Sequence, residues 1–477
     1  MAEIILIYPQ ILKEPVGPPL GLLFIAGELE RRGFEISIID QLTPEDTKRD
    51  LEKTMGPETL VVGISSMTGV QLKNALLATD AAKEINPKVP VVWGGIHPSI
   101  LPDSTISHPK IDYVVVGEGE QPFASLAMAL RKGEQLEQIE GLCMKTDGTV
   151  KINAPPKLYG HMDHLASPAW HHLEPRLKHY LKSRNGRMMV QFSRGCPYNC
   201  GFCYNKVFNH QRHRSMSAGR IVAELKSLME KFDINKFDVI DDNFIVKKNF
   251  IRELQQELKK ENLNPDLQLS ARFDVIDEDM LTILSEMGVS TLFFGVESGS
   301  ESVLKKINKN QDLKQVKEVV HLLANFDFSV LFSFMFNFPF ETKEDLLKTK
   351  ELADYISERI SEVRVWLNAY TPYPGTDLYE SMKRDYGLVE RITLEDWSEA
   401  DWFKPYFSPQ ADEPESFAEI YLNMWGSYFK QGGGKMAKLS KLFKYRTSRR
   451  FERNYYVLPL EHKLLNFVRH KLTRFIP

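Results

Sequence analysis

The sequence predicts an α/β protein: two successive runs of strand–helix units, followed by a smaller C-terminal region. Three observations carry this. Short apolar runs bounded by Gly and Pro alternate with amphipathic helical patterns over residues 1–135. The alternation lapses over 136–185, then restarts and continues to 395. From 396 to 477 it gives way to a basic, aromatic-rich stretch. Strands that alternate with helices imply parallel sheets covered on both faces.

In the first run, strands are expected at 4–8, 35–40, 60–65, 90–94 and 113–116. Helices fit 20–32, 71–86 and 121–132. Five β-rich runs separated by helices predict a doubly wound, Rossmann-like parallel sheet. Ligands of such sheets bind at the C-terminal strand ends. Those ends are small and glycine-bearing here: Gly63-Ile-Ser65-Ser66-Met-Thr-Gly69, Gly94-Gly95-Ile96-His97-Pro98 and Gly117-Glu118-Gly119-Glu120. Glycines there let the backbone approach a large ligand, although ordinary βα turns have the same composition. Residues 136–185 form a bridge. A hairpin over 141–151 should turn at Asp147-Gly148. Cys143 falls on its first strand and reads as a packing residue. Residues 153–156 and 165–175 look like extended linker.

In the second run, strands fit 187–192, 236–241, 268–271, 291–295, 329–335 and 362–368. Helices fit 217–232, 248–261, 277–287, 313–325 and 343–357. Several strand ends carry chemically distinctive residues. Asp241-Asp242-Asn243-Phe244 ends the second strand and could equally cap a helix. Arg272 ends the third, where it can grip a carboxylate bidentately or form a surface ion pair. Gly295-Val-Glu297-Ser298-Gly-Ser300 ends the fourth.

Composition narrows the function. Hydrophobic content of 43% and charged content of 26% are those of a soluble globular chain. A net charge of −3 argues against a bulk polyanion partner, nucleic acid included. The sequence holds no apolar run long enough to span a bilayer. Its N-terminus reads as a strand rather than a signal peptide.

The strongest chemical signal is Arg194-Gly-Cys196-Pro-Tyr-Asn-Cys200-Gly-Phe202-Cys203-Tyr204, which holds three of the four cysteines. Three thiolates on one short loop can hold three irons of a 4Fe–4S cluster and leave the fourth iron open for chemistry. Zinc, with His210 as fourth ligand, is the competing reading, but the spacing differs from zinc modules. Three clustered thiols cannot all pair as disulfides. A thiolate cluster with few other cysteines predicts a reducing compartment, the cytoplasm.

This loop resembles that of the radical S-adenosylmethionine (SAM) enzymes, and Phe202 matches the aromatic residue usual there. The resemblance implies that SAM chelates the open iron through its amino and carboxylate groups. The reduced cluster then cleaves SAM to methionine and a 5′-deoxyadenosyl radical. The six βα units match that family's partial (β/α)6 TIM-type barrel. The resemblance also implies SAM contacts from Phe202, Asp241, Asp242, Asn243, Arg272, Glu297 and Ser298. Relatives carry Gly-x-Pro-Gly-Glu-Thr where this chain has Asn337-Phe-Pro-Phe340-Glu-Thr342, so that motif is not carried over. Pro18-Pro-Leu20-Gly21, Trp93-Gly94-Gly95-Ile96-His97-Pro98 and Val116-Gly117-Glu118-Gly119-Glu120 together resemble the cobalamin-binding domain that precedes many such barrels. The implied cobalamin contacts are those prolines' end (Pro18, Leu20, Gly21), Ser65, Ser66, Gly94, Gly95, Ile96, His97, Gly117, Glu118 and Gly119. The Asp-x-His-x-x-Gly pattern that ligates cobalt elsewhere is missing, so His97 is expected to be a loop or pocket residue.

The implied protein is a cobalamin-dependent enzyme of the class B radical SAM methyltransferase and magnesium-protoporphyrin ester cyclase type. It would methylate, couple or cyclise at an unactivated carbon of a small-molecule or lipid substrate, with flavodoxin or ferredoxin as electron donor. A tRNA methylthiotransferase would need a second cysteine-bound cluster, which four cysteines cannot supply. A cobalamin-independent coupling enzyme and a non-enzymatic redox or sensor protein are the alternatives. Residues 430–477 hold 13 Lys/Arg and 2 Glu, interleaved with Phe443, Tyr445, Phe451, Tyr455 and Phe467. Such a segment can lie on an anionic membrane surface, bind RNA as the competing functional reading, or be a solvated helical cap. The chain is thus expected to have four parts: a cobalamin-binding domain over 1–135, a hairpin and linker over 136–185, the barrel over 186–395, and a small, mainly helical region over 396–477.

Overall fold

The computed structural model describes residues 2–10, 17–41, 43–146, 148–155, 158 and 160–400. The basic C-terminal segment and Asp147 of the hairpin turn lie outside the described residues. The chain divides into two compact units. The first comprises Met1–Pro197, Tyr204–Ile234 and Val389–Trp402, and the second includes Tyr198–Cys203 and Asn235–Leu388.

In the first unit, β1 (Ile4–Ile7), β2 (Ile36–Ile39), β3 (Val61–Ser65), β4 (Val91–Gly94), β5 (Tyr113–Val115), β6 (Leu142–Thr146) and β7 (Thr149–Ile152) form one sheet. Its order is β2-β1-β3-β4-β5-β6-β7. The first five strands are parallel, and the hairpin β6–β7 adds an antiparallel edge. Each residue of β1 is buried and apolar, as expected of a strand covered on both faces. The strand order reverses between β1 and β3, the place where doubly wound sheets bind ligands.

The bridge departs from its expected extended form. Trp170–Leu173 makes a 3-10 turn and Leu177–Ser183 a helix. Trp170, Leu173 and Tyr180 are buried, so tertiary packing rather than local propensity orders this segment. A helix at Pro44–Thr54 was also not foreseen. Its signal was present in Thr43-Pro44-Glu-Asp46, where the Thr43 hydroxyl accepts the Asp46 N–H and Pro sits in the first turn.

Three short strands flank the cysteine loop: β8 (Met188–Val190), β9 (Ser193–Arg194) and β10 (Arg214–Ser215). The last two pair antiparallel across the segment that carries the cysteines.

In the second unit, β11 (Lys236–Val239), β12 (Asp266–Ala271), β13 (Val289–Glu297), β14 (Ser329–Phe336) and β15 (Val363–Ala369) lie side by side in chain order, all parallel. Each is followed by a helix, the pattern of a barrel wall. Phe273, Phe294 and Phe332 stack within its core, with ring centroids 4.7 and 5.6 Å apart along the series. Burying each such side chain contributes about 1.5–3 kcal/mol. Strand β13 runs two residues past its expected end and shifts register between Gly295 and Glu297. That bulge re-aims the residues that follow it.

Candidate functional site

The C-terminal ends of β3, β4 and β5 converge through their backbones. The Ser66 N–H donates to Gly94 O at 2.9 Å and the His97 N–H to Ser66 O at 3.3 Å. The Ser99 hydroxyl donates to Gly95 O and accepts the Gly117 N–H, at 2.6 and 2.9 Å. This brings Ser65, Ser66, Gly94, Gly95, Ile96, His97 and Gly117 to neighbouring strand ends. Gly95 has φ +96°, and a Cβ there would stand 2.7 Å from Ser66 O, so the turn itself demands glycine. Gly94 is different: the nearest atom to a Cβ would be 3.9 Å away. Gly21, two residues into the helix Leu20–Arg31 that Pro18 and Pro19 lead into, is likewise open. The Ser66 hydroxyl is buried with no partner among the described residues. An open glycine ledge beside an orphaned hydroxyl fits a bulky ligand edged with hydrogen-bonding groups, as cobalamin is.

His97 and Glu118 are placed less openly. His97 is fully buried, with Nδ1 3.1 Å from the Thr68 hydroxyl and its ring edge-on to Trp397 at 5.9 Å. Burial pushes its pKa down to about 4, so the ring is neutral at pH 7. Both carboxylate oxygens of Glu118 are held by arginines. Arg214 grips it bidentately at 2.8 Å, and Arg194 lies 3.2 Å away. Its side chain is therefore directed to protein, while Gly117 and Gly119 on either side leave the backbone bare.

In the second unit, a buried charged set occupies the ends of β12 and β13. Arg272 is 8% exposed, so it is no surface ion pair. Its Nε donates to Asp274 at 3.0 Å, and its guanidinium lies 3.6 Å over the Tyr198 ring. The Tyr198 hydroxyl donates to Asp274 at 2.6 Å; burial, then Asp274, pushes its pKa up to about 12, so it keeps its proton. Cys200 lies near enough to Arg272 for a thiolate there to interact with it. Another Arg272 nitrogen reaches Lys309 O at 3.4 Å, and Lys309 Nζ meets Glu297 at 2.9 Å in a buried pair. Glu297 itself has φ +65°, a strained conformation for a non-glycine residue. Strain of this kind collects at ligand sites. Arg272 and Glu297 are thus joined through Lys309, a residue the sequence reasoning missed. The Ser298 hydroxyl shares a hydrogen bond with Thr349 at 3.0 Å and accepts the Ser300 N–H, so it holds the turn.

At the end of β11, Asp241 and Asn243 are buried and Asp242 is exposed. They cap no helix, since the next one is Lys248–Lys260. The Asn243 amide is buried, and neither of its atoms has a partner among the described residues. At the end of β14, Asn337 has φ +68°, a conformation that Asn tolerates better than most residues. Glu341 turns back to accept the N–H groups of Asn337 and Phe338, at 2.7 and 3.3 Å. Burial raises its pKa to about 8.

The cysteine loop is held by its neighbours' backbones. The Cys196 N–H donates to Asn205 Oδ1 at 3.0 Å. The Gly201 N–H donates to Ile307 O and its carbonyl accepts the Leu378 N–H, at 2.8 and 2.9 Å. Phe202 packs on the cluster formed by Val303, Leu304, Ile307, Phe338 and Tyr370. Cys196, Cys200 and Cys203 are all partly exposed and none is in a disulfide. Cys143 is fully buried on β6, and burial pushes its thiol up to about 11, which suits packing and not metal ligation. Partly exposed thiols on an anchored loop beside an arginine fit a 4Fe–4S cluster that meets a carboxylate-bearing ligand.

The comparisons with known proteins agree with this chemistry. The radical SAM superfamily pattern matches residues 190–353, and the B12 binding domain pattern matches 14–127. A protein named as an uncharacterised methyltransferase from Pyrococcus horikoshii is 30% identical over 418 residues, 87% of this chain and 88% of that one. The anaerobic magnesium-protoporphyrin IX monomethyl ester cyclase of Rubrivivax gelatinosus is 25% identical over 86% of this chain and 74% of its own. Among solved structures, the cobalamin-dependent SAM radical enzyme OxsB superposes with a TM-score of 0.75 at 16% identity, over 99% of this chain and 75% of that one. That last likeness concerns the fold. Fold and loop together define a radical SAM enzyme. This chain belongs to the radical SAM enzymes that carry an N-terminal cobalamin-binding domain, with a 4Fe–4S cluster, SAM and cobalamin as cofactors. Among the described residues no helix is long and apolar enough to cross a membrane.

Proposed function

We propose that the protein methylates an unactivated carbon of an apolar small molecule, with SAM as both radical source and methyl donor. The observation that carries this is the coexistence in one chain of a three-cysteine loop and an open glycine ledge, in a sequence whose relative at 30% identity is named a methyltransferase. The cluster, when bound, supplies the electron that cleaves SAM; cobalamin, when bound, supplies the methyl carrier. Cys196, Cys200 and Cys203 would hold the cluster. Arg272 would take the methionyl carboxylate, and Asp241, Asn243 and Glu297 the amino group and ribose. Gly21, Ser65, Ser66, Gly94, Gly95, Ile96, Gly117 and Gly119 would contact the corrinoid through backbone and hydroxyl groups. His97, buried against Thr68 and Trp397, would support the site from behind rather than ligate cobalt.

The test is anaerobic turnover with SAM carrying a deuterated methyl group, dithionite and cobalamin. Deuterated methylcobalamin, S-adenosylhomocysteine and 5′-deoxyadenosine should all form. SAM cleavage with no labelled methylcobalamin would transfer the chain to coupling or rearrangement chemistry, the alternative that needs no corrinoid.

The substrate is taken to be lipid-like or a tetrapyrrole, and the electron donor a flavodoxin or ferredoxin. The lipid reading rests on the basic tail, with a net charge of about +11 over 430–477. It places the protein in the cytoplasm, peripheral on the inner membrane face. Co-sedimentation with acidic but not neutral liposomes, weakened by salt and lost on deleting 430–477, is the expected result. Equal binding to neutral liposomes would remove this reading.

A further inference from the structure

Four charged side chains outside the proposed cofactor contacts form a largely buried set. Arg194 and Arg214 stand directly opposite one another on the β9–β10 ribbon. Directly opposed residues of an antiparallel pair point to the same face, and like charges placed so repel. These two are 9% and 3% exposed at the side chain, so water cannot screen them. Glu118 lies between them, with Arg214 bidentate at 2.8 Å and Arg194 at 3.2 Å. Glu120 takes a second Arg194 nitrogen at 2.6 Å. Asn209 and Gln191 each accept one further bond, and Phe24 lies under the Arg194 guanidinium at 4.9 Å. Two cations and two carboxylates leave the set neutral. The charges of Arg194 and Arg214 outweigh the effect of burial and hold the Glu118 carboxyl well below the usual carboxylate range.

What this set closes matters more than its own energy. The ribbon is the neck of the segment 195–213, and Cys196 is two residues beyond Arg194. Gly195, between them, has φ +82°, and any Cβ would strike the Arg212 carbonyl. The Cys196 N–H is then fixed on Asn205. The backbone from the ribbon to the first thiolate has little freedom once the neck is shut. Without Glu118, two buried guanidiniums would face each other across that neck.

We propose that Glu118 and Glu120 are positioning residues for the iron–sulfur cluster: by neutralising Arg194 and Arg214 they close the neck of the cysteine loop and fix the backbone that presents Cys196. This rests on the cluster and not on cobalamin. It gives the Gly117-Glu118-Gly119-Glu120 turn two separate duties, backbone toward a ligand and side chains toward the loop.

The test compares Glu118→Gln, Arg214→Met and the pair, with Glu224→Gln as control. Glu224 pairs with Arg220 at 2.8 Å on a neighbouring helix, and losing it tests the general effect of an ion pair. Iron per folded chain after anaerobic reconstitution, the EPR spectrum of the reduced cluster with and without SAM, corrinoid uptake and Tm are measured on the full chain. Glu118→Gln should lower cluster retention about 10-fold and alter the EPR signal, as loss of groups that orient metal ligands does elsewhere. The double variant, which removes one charge of each sign, should recover much of the retention. Wild-type retention and EPR in Glu118→Gln, with a Tm loss no greater than that of the control, would overturn the proposal. Lost corrinoid uptake with an intact cluster would also overturn it and return Glu118 to the cobalamin site.

Discussion

The strand ends of the two units solve different recognition problems. In the first, the candidate surface is backbone: glycines, small hydroxyls, and a histidine and a glutamate whose side chains are tied to protein. In the second, it is charge: Arg272, Lys309 and Glu297 buried in a connected set, with Glu297 held at positive φ. On the proposed function, the difference follows from the ligands. A corrinoid is broad and needs close approach over a wide face, which side chains would obstruct. SAM's amino-acid end is small and zwitterionic, and needs fixed opposite charges in a site with little water.

The largest expected effect falls on the loop shared by both chemistries. Changing Cys196, Cys200 and Cys203 to Ala should reduce about four irons per chain to none and abolish 5′-deoxyadenosine. Cys143→Ala should leave both intact; iron loss on that change would mean the ligand set is wrong.

Next comes the charged set. Removing one partner of the buried Lys309–Glu297 pair, as in Lys309→Met, should cost about 3–5 kcal/mol by denaturant unfolding, because a carboxylate is left unpaired. Arg272→Lys keeps the charge but loses the planar guanidinium over Tyr198, so KM for SAM should rise about 10-fold. An unchanged KM would remove Arg272 from the SAM site.

The two units should also fail at opposite ends of the pH scale. His97 is held at about 4, below its ordinary 6.5, so its folded form binds fewer protons. Stability is complete above 6.5 and falls as pH drops toward 4. Glu341 is held at about 8, above its ordinary 4.5, so its folded form keeps a proton. Stability is complete below 4.5 and falls as pH rises toward 8. The acid limb is worth on the order of 3 kcal/mol and the alkaline limb on the order of 5 kcal/mol. Glu341→Gln should flatten only the alkaline limb and raise Tm at pH 8. An unaltered alkaline slope would show that Glu341 is not what titrates.

The smallest effect separates ligand approach from fold. A Cβ at Gly94 would make only ordinary contact with Val115, so Gly94→Val should leave Tm near wild type while weakening corrinoid binding about 10-fold or more, a change of about 1.4 kcal/mol per tenfold. Gly117 cannot serve for this, because its φ of +85° would strain any side chain. His97→Ala should leave the corrinoid spectrum unchanged, and a shifted cobalt band would put His97 on the metal.

Strand positions were legible because β1, β3 and β4 are short apolar runs set off by turn residues, and burial on both faces writes itself into composition. The cysteine loop was legible because its ligands are close in sequence. Lys309 was not, because its partner Glu297 is reached through a bulge that no local pattern announces. Residues 165–175 read as extended in sequence, and the turn at Trp170–Leu173 forms because Trp170 and Leu173 are ordered by what they pack against.

By itself, then, the sequence determined the α/β class, the cluster loop and the glycine-bearing strand ends, all features encoded by neighbours in the chain. Tertiary structure alone decided which charges meet. It set Glu118 between Arg194 and Arg214, Arg272 over Tyr198, and His97 against Thr68. Those pairings join residues up to 96 positions apart, and only the folded sheets bring them within a few ångströms.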